Sequence, residues 1–489
     1  MATIRCGQTI RDNDEMRTRA ARIATGLAEH GVTAGDRVAI FLHNDVALIE
    51  ASIGAGMLGA VPVPVNWHWK GAELGYLLDD SDSRVLFAHS DLVPTAEAVL
   101  GDRLLIEVDN DSAPPTGRYP RYEDWLAAQR PWSQPPTQAP QSMIYTSGTT
   151  GRPKGIVRAA TTPEQSAASA GLIFETFGLA PGMRTLVPAP IYHTAPNVHC
   201  LVSAAAGIDL TIMPKFDPEE MLRLIEAHGI NHFQAVPTMF VRLLQLPAAV
   251  RARYDLSSLT TIVHAAAPCP PEIKRRMIDW LGPIVREYYG GSETGGCVAC
   301  DSDQWLAHPG TVGRPIADAD IRIYSDSGDL LPAGTTGRIH LRPPTGWPNF
   351  TYHRNPGKRA EMERDGYLDI GDIGYLDADG FLYLNDRSTD MIISGGVNIY
   401  PAEIEACLLE LPGVRDAAVF GIPDADLGES IAAHVESTGV TADAVREHIR
   451  SNLAGYKVPK LVVFDDDLPR EDTGKLFKRK IRARYWPDR

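Results

Sequence analysis

Tyr145-Thr146-Ser147-Gly148-Thr149-Thr150-Gly151-Arg152-Pro153-Lys154-Gly155 is the stretch from which the rest of the chain becomes readable. A strand-forming run, 142–145, leads into four aliphatic hydroxyl residues, three glycines and two cations. Backbone N–H groups, hydroxyls and positive charge can therefore converge on one small volume, which is the chemistry of a polyphosphate grip. Glycine permits close approach and unusual dihedrals, and Pro153 restricts the loop. The spacing is not that of a Walker A loop, because Gly148 and Gly151 are followed by Arg-Pro-Lys-Gly rather than Gly-Lys-Ser/Thr.

Working outward, the N-terminal side alternates helix and strand patterns. Helical spacing covers 17–30, 45–58 and 73–80, and short apolar strands cover 37–42, 61–65 and 84–88. This alternation implies an α/β layer with a largely parallel sheet. Residues 110–141 are rich in proline and tryptophan without periodicity, and are expected to form a surface connection. Beyond the loop, 164–177 reads as a helix, and a strand over 185–189 ends in Pro190-Ile-Tyr-His-Thr-Ala-Pro-Asn197. That places the His193 imidazole at a sheet edge, where ligands of open α/β sheets sit.

Further on, a helix at 219–228 and strands beginning near 233 and 260 lead to the small-residue loop Ala265-Ala266-Ala267. Glu287-Tyr-Tyr-Gly-Gly-Ser-Glu-Thr-Gly-Gly296 supplies glycines, a hydroxyl and a carboxylate in one turn. From 313 to 384 short alternating runs separated by Gly-Asp and Asp-Gly turns indicate a small antiparallel unit, which contains Gly366-Tyr-Leu-Asp-Ile-Gly-Asp372. A polar segment near Thr389 precedes a new strand and a helix opening at Pro401. The final part has strands over 414–420, 432–435 and 461–464, a helix over 442–453, and the tail Leu468-Pro-Arg-Glu-Asp-Thr-Gly-Lys475.

At 489 residues the chain exceeds what one core organises, so a large domain plus a smaller one is expected. Forty-seven basic against 62 acidic residues give a net charge of −15, which speaks against a nucleic-acid partner. Anionic ligands must be held by local cationic clusters. Six scattered cysteines fit a reducing compartment, and the lone Cys297-x-x-Cys300 lacks the companion ligands of a zinc site. No run reaches membrane-spanning length and residues 1–7 hold no apolar signal core. The expectation is a cytoplasmic enzyme without a membrane partner; the sequence is silent on oligomeric state.

Taken together and in order, these motifs resemble the signatures of the adenylate-forming superfamily, which includes acyl- and aryl-CoA synthetases, adenylation domains, luciferases and amide-bond synthetases. The resemblance covers nearly the whole chain. It implies an N-terminal domain, 1–388, of layered α/β subdomains plus a small antiparallel β unit, and a small mobile α+β C-terminal domain, 389–489. It implies that Thr146, Ser147, Gly148, Thr149, Thr150, Gly151 and Lys154 hold ATP phosphates, and that Ala265, Ala266 and Ala267 pack on adenine. Tyr289 would face the base, with Gly290, Gly291 and the Ser292 hydroxyl at the phosphate. Glu293 would anchor Mg²⁺, Asp372 the ribose hydroxyls, and Arg387 would touch the nucleotide. Lys475 is implied as the catalytic residue. The family's pivot often carries aspartate or lysine where this chain has Thr389.

The chemistry implied is ATP-dependent activation of a small-molecule carboxylic acid as acyl-AMP, with release of pyrophosphate. Tyr192, His193, Phe233, Val236 and Ala265 are expected to line the acid pocket, and the small residues 204–207 to leave room for a bulky or aromatic acid. CoA is the first choice of acceptor. A free amine is the alternative, with His193 and His199 as the groups to position or deprotonate it. A catalytically idle nucleotide-binding regulator is a third reading, against which intact Lys154, Glu293, Asp372 and Lys475 argue. Glycine at 395 and 396 is expected to border the path of an acceptor's arm, and the basic run after Lys475 to form a solvated helix face rather than to grip an acceptor's phosphates.

Overall fold

The computed structural model describes residues 2–135, 140–146, 153–159, 161–470 and 476–486. Its spine is a long mixed sheet that neither the helix–strand alternation nor the later hairpin patterns specify alone. Four strands, Arg184–Val187, Asp209–Ile212, His232–Ala235 and Thr261–His264, run parallel with Val285–Gly291. The chain then reverses. Gly295–Cys300 pairs antiparallel with Val285–Gly291, and Thr311–Pro315 continues the ladder. Thr311–Pro315 in turn pairs with Leu382–Arg387, so the antiparallel strands over 313–384 are fused to the parallel sheet rather than forming a separate unit. The sequence shows the change from crossovers to hairpins, but not the shared strand that joins them.

At the other edge Thr3–Cys6 adds in parallel to Asp209–Ile212, and Thr9–Asp12 folds back on it. A second, all-parallel sheet is built from Arg37–Phe41, Val61–Pro64, Ser83–His89 and Leu104–Val108. The helices Asn13–Glu29 and Val46–Met57 pack between the sheets, with Ile23, Leu27, Ile49 and Ala51 fully shielded from water. Gly54 is required there, because a Cβ would sit 2.7 Å from Ile23.

The segment 110–141 is not simply a surface connection. It carries the helix Tyr122–Ala127, whose Trp125 packs so tightly on the first helix that a Cβ at Gly26 would lie 2.3 Å from its ring. Tyr122 donates to Glu50 Oε2 at 2.5 Å, and Arg19 bridges Glu50 and Glu123. A helix of six residues is too short to show periodicity; tertiary burial of its two aromatics holds it in place.

The strands Ile144–Thr146 and Lys154–Arg158 flank the phosphate-loop motif and pair with each other, and Phe350–Tyr352 extends them. The final sheet comprises Ile392–Ser394, Val397–Ile399, Val414–Asp424, Gly428–Ser437 and Leu461–Phe464, covered by the helices Pro401–Leu409 and Ala442–Asn452. Gly395 and Gly396, at φ 56° and 81°, make its first hairpin turn, where two consecutive left-handed residues are needed.

The basic run after Lys475 meets the solvated-face expectation only in part. Lys478 is half-buried with its Nζ 2.8 Å from Glu405, Ile481 is in the core and Arg482 reaches Glu429, while Arg479 and Lys480 are exposed. On the near side, Arg470 makes a two-pronged bond to Asp416, and residues 470 and 476 pair as a β-bridge. No described helix is long and apolar enough to cross a membrane.

Candidate active site

A cavity of about 530 Å³ opens where the parallel strands end, between the long sheet, the flanks of the phosphate-loop motif and the segment after Arg387. Its position follows the rule that open α/β sheets bind ligands beyond the carboxyl ends of their strands. Thr146, Lys154, Gly290, Gly291, Ser292, Glu293 and Arg387 all border it. Ser147, Gly148, Thr149, Thr150, Gly151 and Lys475 lie outside the described residues. Phe477, two positions after Lys475, borders the cavity, as do Ser388 and Thr389.

The charged end is assembled from three separate chain segments. Lys154 Nζ sits 5.6 Å from the centre of the Tyr352 ring, and Tyr352 donates its hydroxyl to Glu293 Oε1 at 2.8 Å. Burial and the neighbouring carboxylate push the Tyr352 phenol upward, so it stays a donor. Thr194 and Ser292 share a hydroxyl–hydroxyl bond at 2.6 Å, which ties the helix Thr194–Ala206 to the signature turn. The turn is held from behind by Arg158, a residue that sequence reasoning passes over. Its guanidinium donates to the carbonyl oxygens of Ser292 and Glu293, and lies 5.2 Å from the Trp347 ring centre and 5.7 Å from that of Phe350. Burial pulls its pKa down to about 10, which leaves it charged at neutral pH.

Arg158→Lys is expected to lose the planar fork that serves both carbonyls. An unpaired buried carbonyl costs about 1–3 kcal/mol, so ATP-dependent turnover should fall about tenfold or more with a lower melting temperature. Steady-state kinetics against ATP, with a thermal melt alongside, checks this.

Tyr289 and Asp372 stand one layer behind the lining. The Tyr289 hydroxyl donates to Asp372 Oδ2 at 2.7 Å, and Arg387 Nε is 3.3 Å from Asp372 Oδ1. Asp372 is therefore spoken for by two protein donors, and burial raises its pKa while Arg387 counters that shift. Asp369, the turn aspartate, accepts from the Gly371 N–H at 2.8 Å and also borders the cavity. Ala265 and Ala266 line the cavity and Ala267 does not. Ala266 adopts φ 74°, a conformation that costs an alanine about 1–2 kcal/mol and marks this loop as held by its surroundings.

The acid-pocket expectation is met in part. Tyr192, His193, Val236 and Ala265 line the cavity, and His193 caps the helix Thr194–Ala206. Phe233 does not, because it points into the core packed by Met221 and Phe240. Residues 204–207 do not either; they end that helix, with Gly207 at φ 67°. The room comes instead from Leu172, Ile173, Thr176 and Phe177 on the helix Pro163–Phe177, with Val198, Gln234, Tyr288 and Trp347. Positions 172, 173, 176 and 177 form a helical stripe visible in the sequence; what that stripe faces is not.

His199 does not reach the cavity. It is fully buried, 2.9 Å from Thr185 Oγ1 and 3.3 Å from Gln234 Oε1, and burial holds it well below the ordinary histidine range. It is thus unsuited to deprotonating an acceptor. His232, on the other side of Thr185, is lowered from 6.5 to about 4, chiefly by burial. A histidine kept neutral in the fold binds a proton more readily once unfolded, so stability is present above pH 6.5 and is lost as pH falls toward 4. The loss from this residue is about 3 kcal/mol over that window. Urea unfolding at pH 7 and pH 5 should show it, and His232→Gln should flatten the difference.

Among the described residues, two groups could hold a metal ion by proximity, His43 with His89 and Asp91, and His308 with Asp377 and Asp379. Neither borders the cavity. Cys297 and Cys300 are buried free thiols whose pKa burial pushes up to about 12.

Comparison with known proteins adds the following. The model of the AMP-binding enzyme family matches residues 13–347, and that of the AMP-binding enzyme C-terminal domain matches 403–475. A feruloyl-CoA synthase from Amycolatopsis sp is 34% identical, over 99% of this chain and 95% of its own length. The ATP-bound structure of MatB from Rhodopseudomonas palustris superposes with a TM-score of 0.85 at 28% identity, over 99% of this chain and 96% of that one. The amide bond synthetase McbA from Marinactinospora thermotolerans does so at 0.83 and 26%, over 99% and 96%. Cavity, motif order and both family matches agree: the chain belongs to the AMP-binding, adenylate-forming enzyme family and is an ATP-dependent, AMP-forming carboxylic acid ligase.

Proposed function

We propose that the cavity binds ATP and an aromatic or other hydrophobic acid side by side, and that the acyl group passes from AMP to the thiol of CoA. One observation carries the site assignment. Lys154, Ser292, Glu293 and Arg387, drawn from three distant stretches, border the same cavity as an apolar recess walled by Ile173, Phe177, Val198 and Val236. A polyanion and an apolar acid thus have adjoining places.

The acid's carboxylate attacks the α-phosphorus, the bond to the pyrophosphate oxygen breaks, and pyrophosphate leaves. Each pair of like charges at ~4 Å opposes this by about 4 kcal/mol at an effective dielectric near 20. Lys154 and Lys475 offset that repulsion, Ser292 orients a phosphate oxygen, and Thr146, Ser147, Gly148, Thr149, Thr150 and Gly151 hold the departing group. Ala265 and Ala266 flank the adenine with Gly290 and Gly291, and Arg387, backed by Asp372 and Tyr289, takes the ribose side.

Glu293 suits Mg²⁺, which ordinarily takes one or two carboxylates plus phosphate oxygens. Its Oε1 is occupied by Tyr352, while Oε2 faces Gly291, where an added Cβ would come within 3.0 Å, so the glycine keeps that side open. When bound, the ion neutralises charge on the phosphates.

We place the boundary of the smaller domain at Thr389. Turning it about this point would exchange Lys475 for the turn at Gly395 and Gly396 beside the adenylate. An amine in place of CoA is the second reading, favoured by His193 at the cavity wall and by the likeness to an amide bond synthetase.

Pyrophosphate release from ATP with a panel of acids tests the first half, and mass analysis of products with CoA or simple amines tests the second. Acid-dependent release with a thioester product is expected. An amide product would transfer the assignment to the second reading, and no release with any acid would remove both.

A further inference from the structure

A chain of buried polar groups runs from the core to the wall of the acid recess: Phe177 carbonyl, His232, Thr185, His199, Gln234 and Tyr288. The separations in order are 2.7, 2.7, 2.9, 3.3 and 3.0 Å. His232, Thr185 and His199 are entirely shielded from water, Gln234 is 5% and Tyr288 8% exposed, and the last two border the cavity beside Phe177.

The direction of every proton in this chain follows from its inner end. The Phe177 carbonyl can only accept, so His232 Nε2 carries the hydrogen. A neutral imidazole then presents a bare Nδ1, and the Thr185 hydroxyl donates to it. Thr185 has one hydrogen and has used it, so its oxygen accepts from His199 Nε2. His199, neutral for the same reason of burial, is left with a bare Nδ1. The Gln234 oxygen at 3.3 Å from that nitrogen would set two acceptors together. Rotating the amide by half a turn exchanges its two ends, which have the same shape, and places the NH₂ toward His199. Its oxygen then faces Tyr288, whose hydroxyl donates inward. The phenolic oxygen is left offering lone pairs to the cavity.

We infer that Tyr288 reads a hydrogen-bond donor on the acid, so that the preferred substrates are aromatic acids bearing a ring hydroxyl or amino group. This rests on the acid-activating assignment above and deepens it. The ring requirement comes from the walls: Phe177 and Tyr288 stand 5.4 Å apart between ring centres, with Ile173, Val198 and Trp347 beside them. A fixed acceptor buried against aromatic rings rejects a methoxy or fluoro group of similar size, because neither can donate, and Tyr288 cannot reverse without unsettling the whole relay.

Acid-dependent pyrophosphate release is measured with benzoic, phenylacetic and cinnamic acids carrying hydroxyl, amino, methoxy, fluoro or hydrogen at each ring position. On the frame that fits, the hydroxyl or amino acid is expected to exceed its methoxy and fluoro counterparts at least tenfold in kcat/KM. Tyr288→Phe should reduce that ratio to within about threefold. Nitrogen NMR of histidine-labelled protein reads the relay without any substrate: His199 should be neutral with its hydrogen on Nε2.

Release from several acids with no preference for donors, or a His199 carrying its hydrogen on Nδ1, overturns the inference while leaving the ligase intact. Silence with every acid removes the ligase assignment and the inference together. If Tyr288→Phe does not fold, the wild-type ratios and the histidine spectrum decide.

Discussion

Lys475→Ala is expected to reduce acid-dependent pyrophosphate release by two orders of magnitude or more, while transfer from a supplied acyl-adenylate to the acceptor stays within a few-fold of the parent. The reason is charge timing. A cation that meets the phosphates only as negative charge develops at the leaving oxygen lowers the barrier to adenylation and has no counterpart in the second step. Phe477 at the cavity wall, two positions along, supports that placement. Rapid-quench measurement of acyl-AMP formation and product assay from synthetic acyl-adenylate separate the two steps; equal loss in both would refute a lysine specific to adenylation. Lys475→Arg would discriminate further, since a broader guanidinium keeps the charge and not the point contact.

Glu287→Ala is expected to destabilise the chain by about 3–5 kcal/mol, the cost of leaving a buried cation without its partner. Lys274 is completely buried, donates to Glu287 Oε2 at 2.6 Å, and lies 5.2 Å from the Trp305 ring centre and 3.8 Å from Cys300 Sγ. So short a bond marks an ionised pair, although burial raises the Glu287 pKa. His264 Nε2 is 3.5 Å from the same carboxylate oxygen.

The effect should reach the active site, because Glu287 lies in the strand that carries Tyr288, Tyr289 and the signature glycines. The Michaelis constant for ATP should rise with the loss of stability. Replacing both partners, Lys274→Met with Glu287→Leu, should recover most of the deficit, since the two apolar side chains demand no charge compensation. Urea unfolding of the two singles and the double gives the coupling. A single variant as stable as the parent would show that the pair is not ionised.

Much of this was legible in the chain. The strands at 37, 61 and 84, and those at 414, 432 and 461, are found within a few residues of where alternation and turn chemistry put them, because local propensity and burial agree there. Thr146, Lys154 and 290–293 stand out in the sequence by their unusual residue combinations, and the fold brings them to one cavity.

Other features were not. Arg158 looks like any surface arginine until the sheet brings the carbonyls of Ser292 and Glu293 onto it, a contact across 134 and 135 positions. Phe233 and Ile173 are both apolar residues on amphipathic elements, and only the tertiary arrangement decides that the second faces the cavity and the first the core. His199 reads as a candidate base because histidine is rare and versatile; its environment makes it a relay between a threonine and a glutamine. Lys478 follows the same rule, since a basic run is taken for a wet surface until a half-buried Glu405 appears beside it.

That last contact has a mechanical meaning. Arg470 on Asp416 and Lys478 on Glu405 fasten the tail to the final sheet and its helix on both sides of Lys475. In the rotation proposed above, the described residues on either side, 470 and 476–478, are riveted to the wheel and would travel with the small body rather than ahead of it. Loosening either rivet should let the tail slip while the wheel still turns.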